Sequence, residues 1–203
     1  ILAASGAGLP IYEAHGNMVV DIGGGTTDSA IIALGGIVSA NSVKIGGNKI
    51  DQAIADYIKE RLNLAIGERT AEEIKISVGS AVPIEHELTC TIKGRDFLTG
   101  LPRTTEISTN QVVEAIRGSL EGMLRSIKMT LQDAPPELAA DIMSDGIVMT
   151  GGGSLLRNID ELVQRSTGVP ARIANDALYC VAKGTGTALE HLDTYKTSVM
   201  MKR

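Results

Sequence analysis

The segment that decides the fold runs from Met18 to Asp28 and reads Met-Val-Val-Asp-Ile-Gly-Gly-Gly-Thr-Thr-Asp. Its first half is a short apolar run containing Asp21, and its second half is a glycine triplet followed by two threonines. Apolar residues bounded by glycines are typical of a buried strand that ends in a turn. A second apolar run, Ser29–Leu34, follows directly. The spacing therefore predicts a hairpin and not a strand–loop–helix unit.

This order excludes two common phosphate-binding motifs. A Rossmann fingerprint needs a helix directly after its glycines, because the amino terminus of that helix holds the pyrophosphate. A Walker A loop would need Gly-Lys-Ser or Gly-Lys-Thr, and neither follows Gly25. What remains is a hairpin turn whose successive N–H groups can form an anion nest, with the hydroxyls of Thr26 and Thr27 as additional donors.

A second glycine triplet, Gly151–Gly153, follows the apolar run Gly146–Thr150 and precedes a helical pattern that begins near Ser154. Ligands of α/β sheets bind at strand ends, so two triplets that each follow a buried strand indicate a binding site more strongly than one. Glycine backbone also allows a flat ligand such as adenine to approach closely. The sequence therefore favours a site between the two triplets.

Asp21 lies where the first strand meets its loop. A carboxylate beside phosphates would repel them unless Mg²⁺ or a water molecule lies between, so Asp21 is a candidate water-positioning residue and Mg²⁺ ligand through water. The alternative is an aspartate that bonds its own turn. The neighbouring glycine triplets favour the functional interpretation.

Outward from the triplets, hydrophobic spacing predicts alternating strands and helices. A three-stranded meander over residues 18–43 precedes a helix that opens at Gly46-Gly47 and stops near Asn63. Next come a helix capped by Thr70 with Glu73 and two strands, at 86–93 and 104–108, around a loop at 94–102. A long helix capped by Thr109 and a helix after Pro135-Pro136 follow. The last predicted elements are strands at 146–150 and 171–174 and a helix from Asp176. This order predicts a mixed sheet with helices on its faces and a small α+β insertion.

Composition removes several classes of function. The chain has 203 residues, with 19 Lys and Arg against 24 Asp and Glu, one Phe, four Tyr and no Trp. A mildly acidic chain with so few aromatic rings is a poor candidate for nucleic-acid binding. Cys90, Cys180 and the three histidines lack metal-ligand spacing, which argues against a zinc site or a disulfide framework. No apolar run reaches the length of about 18 residues that a transmembrane helix needs.

The two glycine motifs resemble those of a known superfamily. Asp21–Thr27 resembles the second phosphate loop of the actin-like ATPases, and Ile147–Ser154 resembles their adenosine motif. Ala4–Gly8 and Ala182–Ala188 are similar to their two connecting helices. Stretches between these motifs are similar to the bacterial rod-shape proteins of the MreB family: Gly67–Lys75, Gly94–Pro102 and Pro135–Ile142. The resemblance extends from Ile1 to about Leu192. It implies an actin-like ATPase domain, which is a ribonuclease-H-like mixed sheet with helices on both faces and a small α+β subdomain inserted.

Residue matching to the superfamily implies a nucleotide site for ATP or ADP with Mg²⁺. Glu72 and Lys75, three apart on one helix face, match the pair that contacts the ribose, although the residues alone would indicate only a surface ion pair. Contacts to phosphates or Mg²⁺-bound water are implied for Asp21, Gly23, Gly24, Gly25 and Thr26, with Thr27 as a further donor. The adenine would lie on Gly151, Gly152 and Gly153.

The resemblance also implies that the chain is the second half of a two-lobed molecule. Subdomain IIA would comprise residues 9–66 and 109–175, and subdomain IIB residues 67–108, with ends of the connecting helices at 1–8 and 176–203. The first phosphate loop and the glutamate that helps to place the hydrolytic water have no counterpart here. We therefore expect this chain alone to bind nucleotide weakly and not to hydrolyse it. The apolar faces of Ile1–Ala4 and Val181–Leu189 are expected to be bare.

For the intact protein, the family implies slow ATP hydrolysis coupled to polymerisation with ATP and Mg²⁺. The filaments would lie in the cytoplasm at the inner face of the membrane and organise cell-wall synthesis and rod shape. Expected partners are other copies of the chain, cell-wall synthesis proteins and membrane scaffold proteins, with membrane contact mainly through the other half and no nucleic acid. The alternatives are a sugar or acetate kinase, a chaperone-type ATPase of the same superfold, and an α/β domain without nucleotide.

Overall fold

The structure, a computed structural model, describes residues 1–190. The strands are β1 (Asn17–Ile22), β2 (Thr27–Ala33), β3 (Gly36–Val43), β4 (Leu64–Ala65), β5 (Thr89–Asp96), β6 (Pro102–Ser108), β7 (Ile147–Thr150) and β8 (Ala171–Ile173). The helices are α1 (Leu2–Gly6), α2 (Gly47–Leu62), α3 (Glu68–Val78), α4 (Thr109–Gln132), α5 (Pro136–Asp145), α6 (Ile159–Thr167) and α7 (Cys180–Glu190).

The main sheet has five strands in the order β3-β2-β1-β7-β8. The β1–β2 and β2–β3 pairs are antiparallel, whereas the β1–β7 and β7–β8 pairs are parallel. The interior strand β7, between β1 and β8, is buried along its whole length, as expected for a strand covered on both faces. The predicted meander and the predicted mixed α/β sheet are confirmed.

The inserted sheet has three antiparallel strands in the order β4-β5-β6. The predicted loop at 94–102 is too long, because Arg95 pairs with Pro102 and the turn spans only 97–101. Asp96 stabilises this turn by accepting hydrogen bonds from the amides of Leu98 and Thr99 at 3.0 and 2.9 Å. The small sheet also begins at Leu64, ahead of residue 67, while the subdomain boundaries themselves stay predictions.

Two predicted helix caps are wrong by a few residues. The long helix α4 is capped by Ser108, whose side chain and that of Gln111 form a reciprocal capping box. Thr109 is instead buried, and its hydroxyl accepts a hydrogen bond from the amide of Leu88 at 3.2 Å. The helix α3 begins at Glu68 after Gly67, so Thr70 lies inside its first turn and is not its cap.

Two predicted helices are each divided into a 3-10 turn and an α-helix. Residues 152–155 form a 3-10 turn and α6 starts only at Ile159, because Asn158 adopts a positive φ of 60°. Residues 177–179 form another 3-10 turn after Asp176, which has a φ of 51°. Such left-handed residues cannot continue a right-handed helix. Within residues 1–190, no helix is both long and apolar enough to cross a membrane.

The helices α1 and α7 cross with their backbones in contact. A Cβ atom on Gly6 would overlap the carbonyl oxygen of Cys180, and one on Gly184 would overlap that of Leu2. Ala3 and Ala4 of α1 are buried in a cluster with Ile11, Val19 and Ile32. The expectation that both helix faces are bare is therefore wrong in part, because the small residues of the two helices cover one another.

Candidate nucleotide site

The parallel strands β1 and β7 bring the two glycine triplets side by side. Asp21 and Thr150 are partners in the register, and each stands within two residues of a triplet. The Thr150 hydroxyl donates a 2.8 Å hydrogen bond to Oδ1 of Asp21. Thr150 is fully buried, so this bond joins the two strands beneath the point where their loops begin.

The first loop, Gly23–Gly25, turns its carbonyl groups toward the start of α2. The amide of Gly47 donates to the Gly23 carbonyl at 2.9 Å, and the amide of Asn48 donates to the Gly24 carbonyl at 2.8 Å. Since a trans peptide holds its C=O and N–H in opposite directions, the amides of Gly24 and Gly25 point away from α2. These amides have no backbone acceptor within residues 1–190. Successive N–H groups in a turn can form an anion nest of the kind that holds phosphate oxygens.

The two threonines after this loop have different roles. Thr27 is completely buried, and its hydroxyl donates to the Ile45 carbonyl at 2.7 Å. The expected role of the Thr27 hydroxyl as a ligand donor is therefore not supported. Thr26 is half-buried, and its hydroxyl donates to Oδ2 of Asp28 at 2.8 Å, at the rim of the loop.

Two carboxylates flank the base of the first loop. Asp21 is half-buried, and its partner in the antiparallel register of β1 and β2 is Asp28. Sequence reasoning missed Asp28, although its position one residue into β2 was a signal. Mg²⁺ usually keeps several waters and takes few protein ligands, so one half-buried carboxylate beside an anion nest fits a water-mediated contact. No cluster of three potential metal-ligating side chains occurs in the part of the chain that the structure describes.

The second loop, Gly151–Gly153, has an apolar surface beside it. Gly152 is exposed, and a Cβ placed on it would lie 3.1 Å from Cδ1 of Leu178, whose side chain is 58% exposed. Ser154 is buried and donates its hydroxyl hydrogen to the Gly151 carbonyl at 2.7 Å. Glycine backbone next to an exposed leucine is a suitable surface for a planar base. Leu178 was missed because it lies in a 3-10 turn without hydrophobic periodicity.

Lys75 lies at the junction of the first loop, α2 and α3. Its Nζ is 2.9 Å from both carboxylate oxygens of Asp51, and 3.5 Å from the place that a Cβ on Gly47 would occupy. Its partner is therefore Asp51 on α2 and not Glu72, which is exposed one turn earlier on α3. No local pattern could reveal Asp51, because the contact joins residues 24 positions apart.

A different ionic cluster lies at the opposite end of β1. His15 Nε2 is 2.7 Å from Oδ2 of Asp145, and His15 Nδ1 is 3.3 Å from Oδ1 of Asp141. The hydrogen bond with Asp145 is the main reason why the pKa of His15 is raised, with further contributions from the charges of Asp141, Asp145 and Glu13. This cluster connects the loop before β1 to α5 and is separate from the nucleotide site.

Comparison with known proteins gives the family. A family model described as MreB/Mbl protein matches residues 1–197. The cell shape-determining protein MreB of Escherichia coli strain K12 is 47% identical over 193 residues, which are 95% of this chain and 56% of that protein.

The fold matches solved structures as well. The crystal structure of MreB5 of Spiroplasma citri bound to ADP superposes with a TM-score of 0.91 at 40% identity, covering 97% of this chain and 60% of that one. MreB5 has also been solved with AMPPNP, at 39% identity and a TM-score of 0.91. The MamK double helical filament, at 23% identity and a TM-score of 0.74, supports the actin-like fold alone.

These matches cover nearly all of this chain but only part of its relatives. The chain spans between 56% and 60% of the length of the MreB proteins it matches. The family match extends through both glycine loops and the inserted sheet, so it includes every element of the candidate site. It favours the rod-shape interpretation over the kinase and chaperone alternatives. This chain belongs to the MreB/Mbl protein family.

Proposed function

We propose that the chain forms the nucleotide-binding lobe of an MreB-type, cell shape-determining protein that binds ATP or ADP with Mg²⁺. The observation that carries the proposal is the side-by-side position of the two glycine loops, joined by the 2.8 Å bond between Thr150 and Asp21. The solved MreB5 structures with ADP and AMPPNP, at 40% and 39% identity, support it.

Each group of site residues would contact the part of the nucleotide that its chemistry suits. The outward amides of Gly24 and Gly25 would bind phosphate oxygens. The half-buried Thr26 would join them by turning its hydroxyl away from the exposed Asp28, to which it donates in this structure. Asp21 would orient water on Mg²⁺, which neutralises phosphate charge when it is bound. Gly151–Gly153 and Leu178 would hold the adenine, and Glu72 and Lys75 would approach the ribose. Hydrolysis requires charge stabilisation from several sides, so we propose that this lobe alone binds nucleotide without turning it over.

For the protein that carries this chain, we propose slow ATP hydrolysis coupled to self-association into filaments. The filaments would lie at the cytoplasmic face of the membrane and organise cell-wall synthesis, together with wall-synthesis and scaffold proteins. The likeness to MreB of Escherichia coli, which is named as a cell shape-determining protein, supports this assignment. Electron microscopy with ATP and Mg²⁺ tests it, because filaments are expected and their absence at polymerising concentrations would contradict it.

Nucleotide binding itself is tested by titrating a fluorescent ADP analogue into this chain, with and without Mg²⁺. We expect saturable binding that unlabelled ADP displaces. Phosphate release from ATP by the isolated chain should stay at the background rate. Absence of displaceable binding at millimolar ADP would overturn the proposed site, and steady phosphate release would overturn the division of chemistry between two lobes.

A further inference from the structure

The ion pair between Lys75 and Asp51 is the least exposed of the ion pairs within residues 1–190. The side chains of Lys75 and Asp51 are only 17% and 13% exposed, whereas every other pair has at least one member that is more than 30% exposed. Burying two charges is costly unless they compensate each other. A buried pair next to a ligand site therefore needs an explanation beyond stability.

Asp51 cannot reach a ligand itself. The Oδ1 of Asp51 is buried and accepts no hydrogen bond within the described residues, although the Nζ of Lys75 lies 2.9 Å away. The Oδ2 of Asp51 accepts the hydrogen bond from the same Nζ. Both carboxylate oxygens thus face the lysine. Asp51 can therefore influence a bound molecule by contact only through Lys75.

Lys75 is held at a defined place by this contact. A lysine side chain has many accessible rotamers, so an unpaired ammonium would spread over many positions. Asp51 lies one turn into α2, four residues after Gly47, whose amide is bonded to the first glycine loop. The same helix start therefore fixes the loop and the carboxylate that holds the lysine.

We infer that Asp51 is a positioning residue of the nucleotide site, which holds the Lys75 ammonium beside the first glycine loop so that it meets the nucleotide already oriented. The inference rests on the proposed nucleotide binding and adds a residue that does not touch the nucleotide. Without Asp51, the lysine loses its orientation and part of its contribution to affinity.

Simple electrostatics makes the opposite prediction. A carboxylate near the phosphates repels them, so its neutralisation should tighten ADP binding if Asp51 acts directly through its charge. If Asp51 acts by positioning Lys75, Asp51→Asn should weaken binding instead. The direction of the change therefore separates the two roles.

The test is a double-mutant cycle with ADP affinity as the readout, in the wild type, Asp51→Asn, Lys75→Met and the double variant. We expect Asp51→Asn to weaken ADP binding by about three- to tenfold when Lys75 is present, and by less than about twofold when Lys75 is Met. Lys75→Met alone leaves a buried carboxylate unpaired, so it can fail to fold. In the double variant both charges are gone, and thermal melting should show a folded protein.

Two further variants test whether the shape of residue 51 or the net charge of α2, and not the positioning of Lys75, explains the change in ADP affinity. Asp51→Glu keeps the carboxylate but lengthens the side chain, whereas Asp51→Asn keeps the shape but removes the charge. If the carboxylate holds Lys75, the Glu variant should bind ADP more tightly than the Asn variant. Asp56→Asn removes an exposed charge from the same helix and should leave the affinity unchanged. If Lys75→Met does not fold, the comparison of Glu with Asn at position 51 decides the question.

The possible failures are distinguishable. If the wild type shows no displaceable ADP binding, the proposed nucleotide site is wrong, and the inference is wrong with it. If the wild type binds ADP but Asp51→Asn binds equally or more tightly, or loses the same factor with and without Lys75, only the positioning role is overturned.

Discussion

The two glycine triplets have the same letters but different physical requirements. Around Gly25 there is open space, because a Cβ added there would meet no atom within 4 Å. At Gly151, which has a φ of 82°, an added Cβ would overlap the Ile22 carbonyl oxygen and lie 2.8 Å from Oδ1 of Asp21. The second loop therefore needs glycine to pack against the end of β1. In the first loop, Gly25 needs to be glycine for no contact within the described chain, which leaves its side of the loop open for a ligand.

The largest expected effect is on stability, from Gly151→Ala. A left-handed conformation is unfavourable for alanine, and the new methyl group overlaps β1, so we expect a loss of about 3 kcal/mol in unfolding free energy. Urea unfolding measures it. Gly168→Ala is the matched control, because Gly168 has a similar φ of 76° in open space and should lose only about 1 kcal/mol. Equal losses at both positions would show that packing against β1 is not what requires Gly151.

The next largest effect is expected from Thr150→Val, which removes the hydroxyl bonded to Asp21 with little change in shape. A buried hydrogen bond to a carboxylate contributes more than one to a neutral group, so we expect a loss of about 2 kcal/mol in unfolding free energy. The control is Thr130→Val, since the hydroxyl of the equally buried Thr130 bonds only the neutral Ser29 and Ser126. Its loss should be about 1 kcal/mol. A loss at Thr130 that matches the loss at Thr150 would contradict the special role of the bond between the two loops.

For the first loop, the comparison predicts a change in binding without a change in stability. Gly25→Ala should alter the unfolding free energy by less than about 0.5 kcal/mol, since the methyl group meets no protein atom. The same methyl group narrows the anion nest, so ADP affinity should fall about tenfold, as measured by fluorescence titration. Gly118→Ala, in open space on α4, should leave ADP affinity unchanged. Full ADP affinity in Gly25→Ala would show that the first loop does not face the ligand.

The smallest effect is expected at the far end of β1, in His15→Gln. Because the folded-state pKa of His15 is raised, its contribution to stability is fully present below the unfolded pKa of about 6.5 and is lost as the pH rises through the folded value. The difference in Tm between wild type and variant should thus be larger at about pH 5.5 than at about pH 9. A Tm difference that grows as the pH rises would contradict a stabilising charge on His15. ADP affinity should be the same in wild type and His15→Gln.

The strand and helix pattern around the glycine loops was predictable because it is local. The short apolar runs of β1 and β2, and the apolar stripe of α4, directly reflect which residues are buried. Thr70 and Thr109 were misassigned as caps because several nearby residues can cap a helix, and tertiary contacts select among them. At Thr109, the contact with Leu88, the residue before β5, decides the matter.

Only the site residues that have a local signal in the sequence could be predicted. Both triplets and Asp21 were found from their positions after apolar strands. The partners that complete the site, Asp51 and Leu178, come from other elements and have no sequence signal of their own. Thr27 was assigned a ligand role because it is adjacent to the loop, but its hydroxyl donates to the Ile45 carbonyl instead. Which side of a strand a hydroxyl faces depends on register, and register becomes certain only in three dimensions.

The central claim is that both glycine loops face one nucleotide, and amide hydrogen exchange with and without ADP and Mg²⁺ tests it most directly. The account predicts slower exchange on saturation in the segments that contain residues 23–27 and residues 151–154, with no change in residues 11–16 at the far end of β1. Unchanged exchange in both glycine loops at an ADP concentration that saturates binding would contradict it.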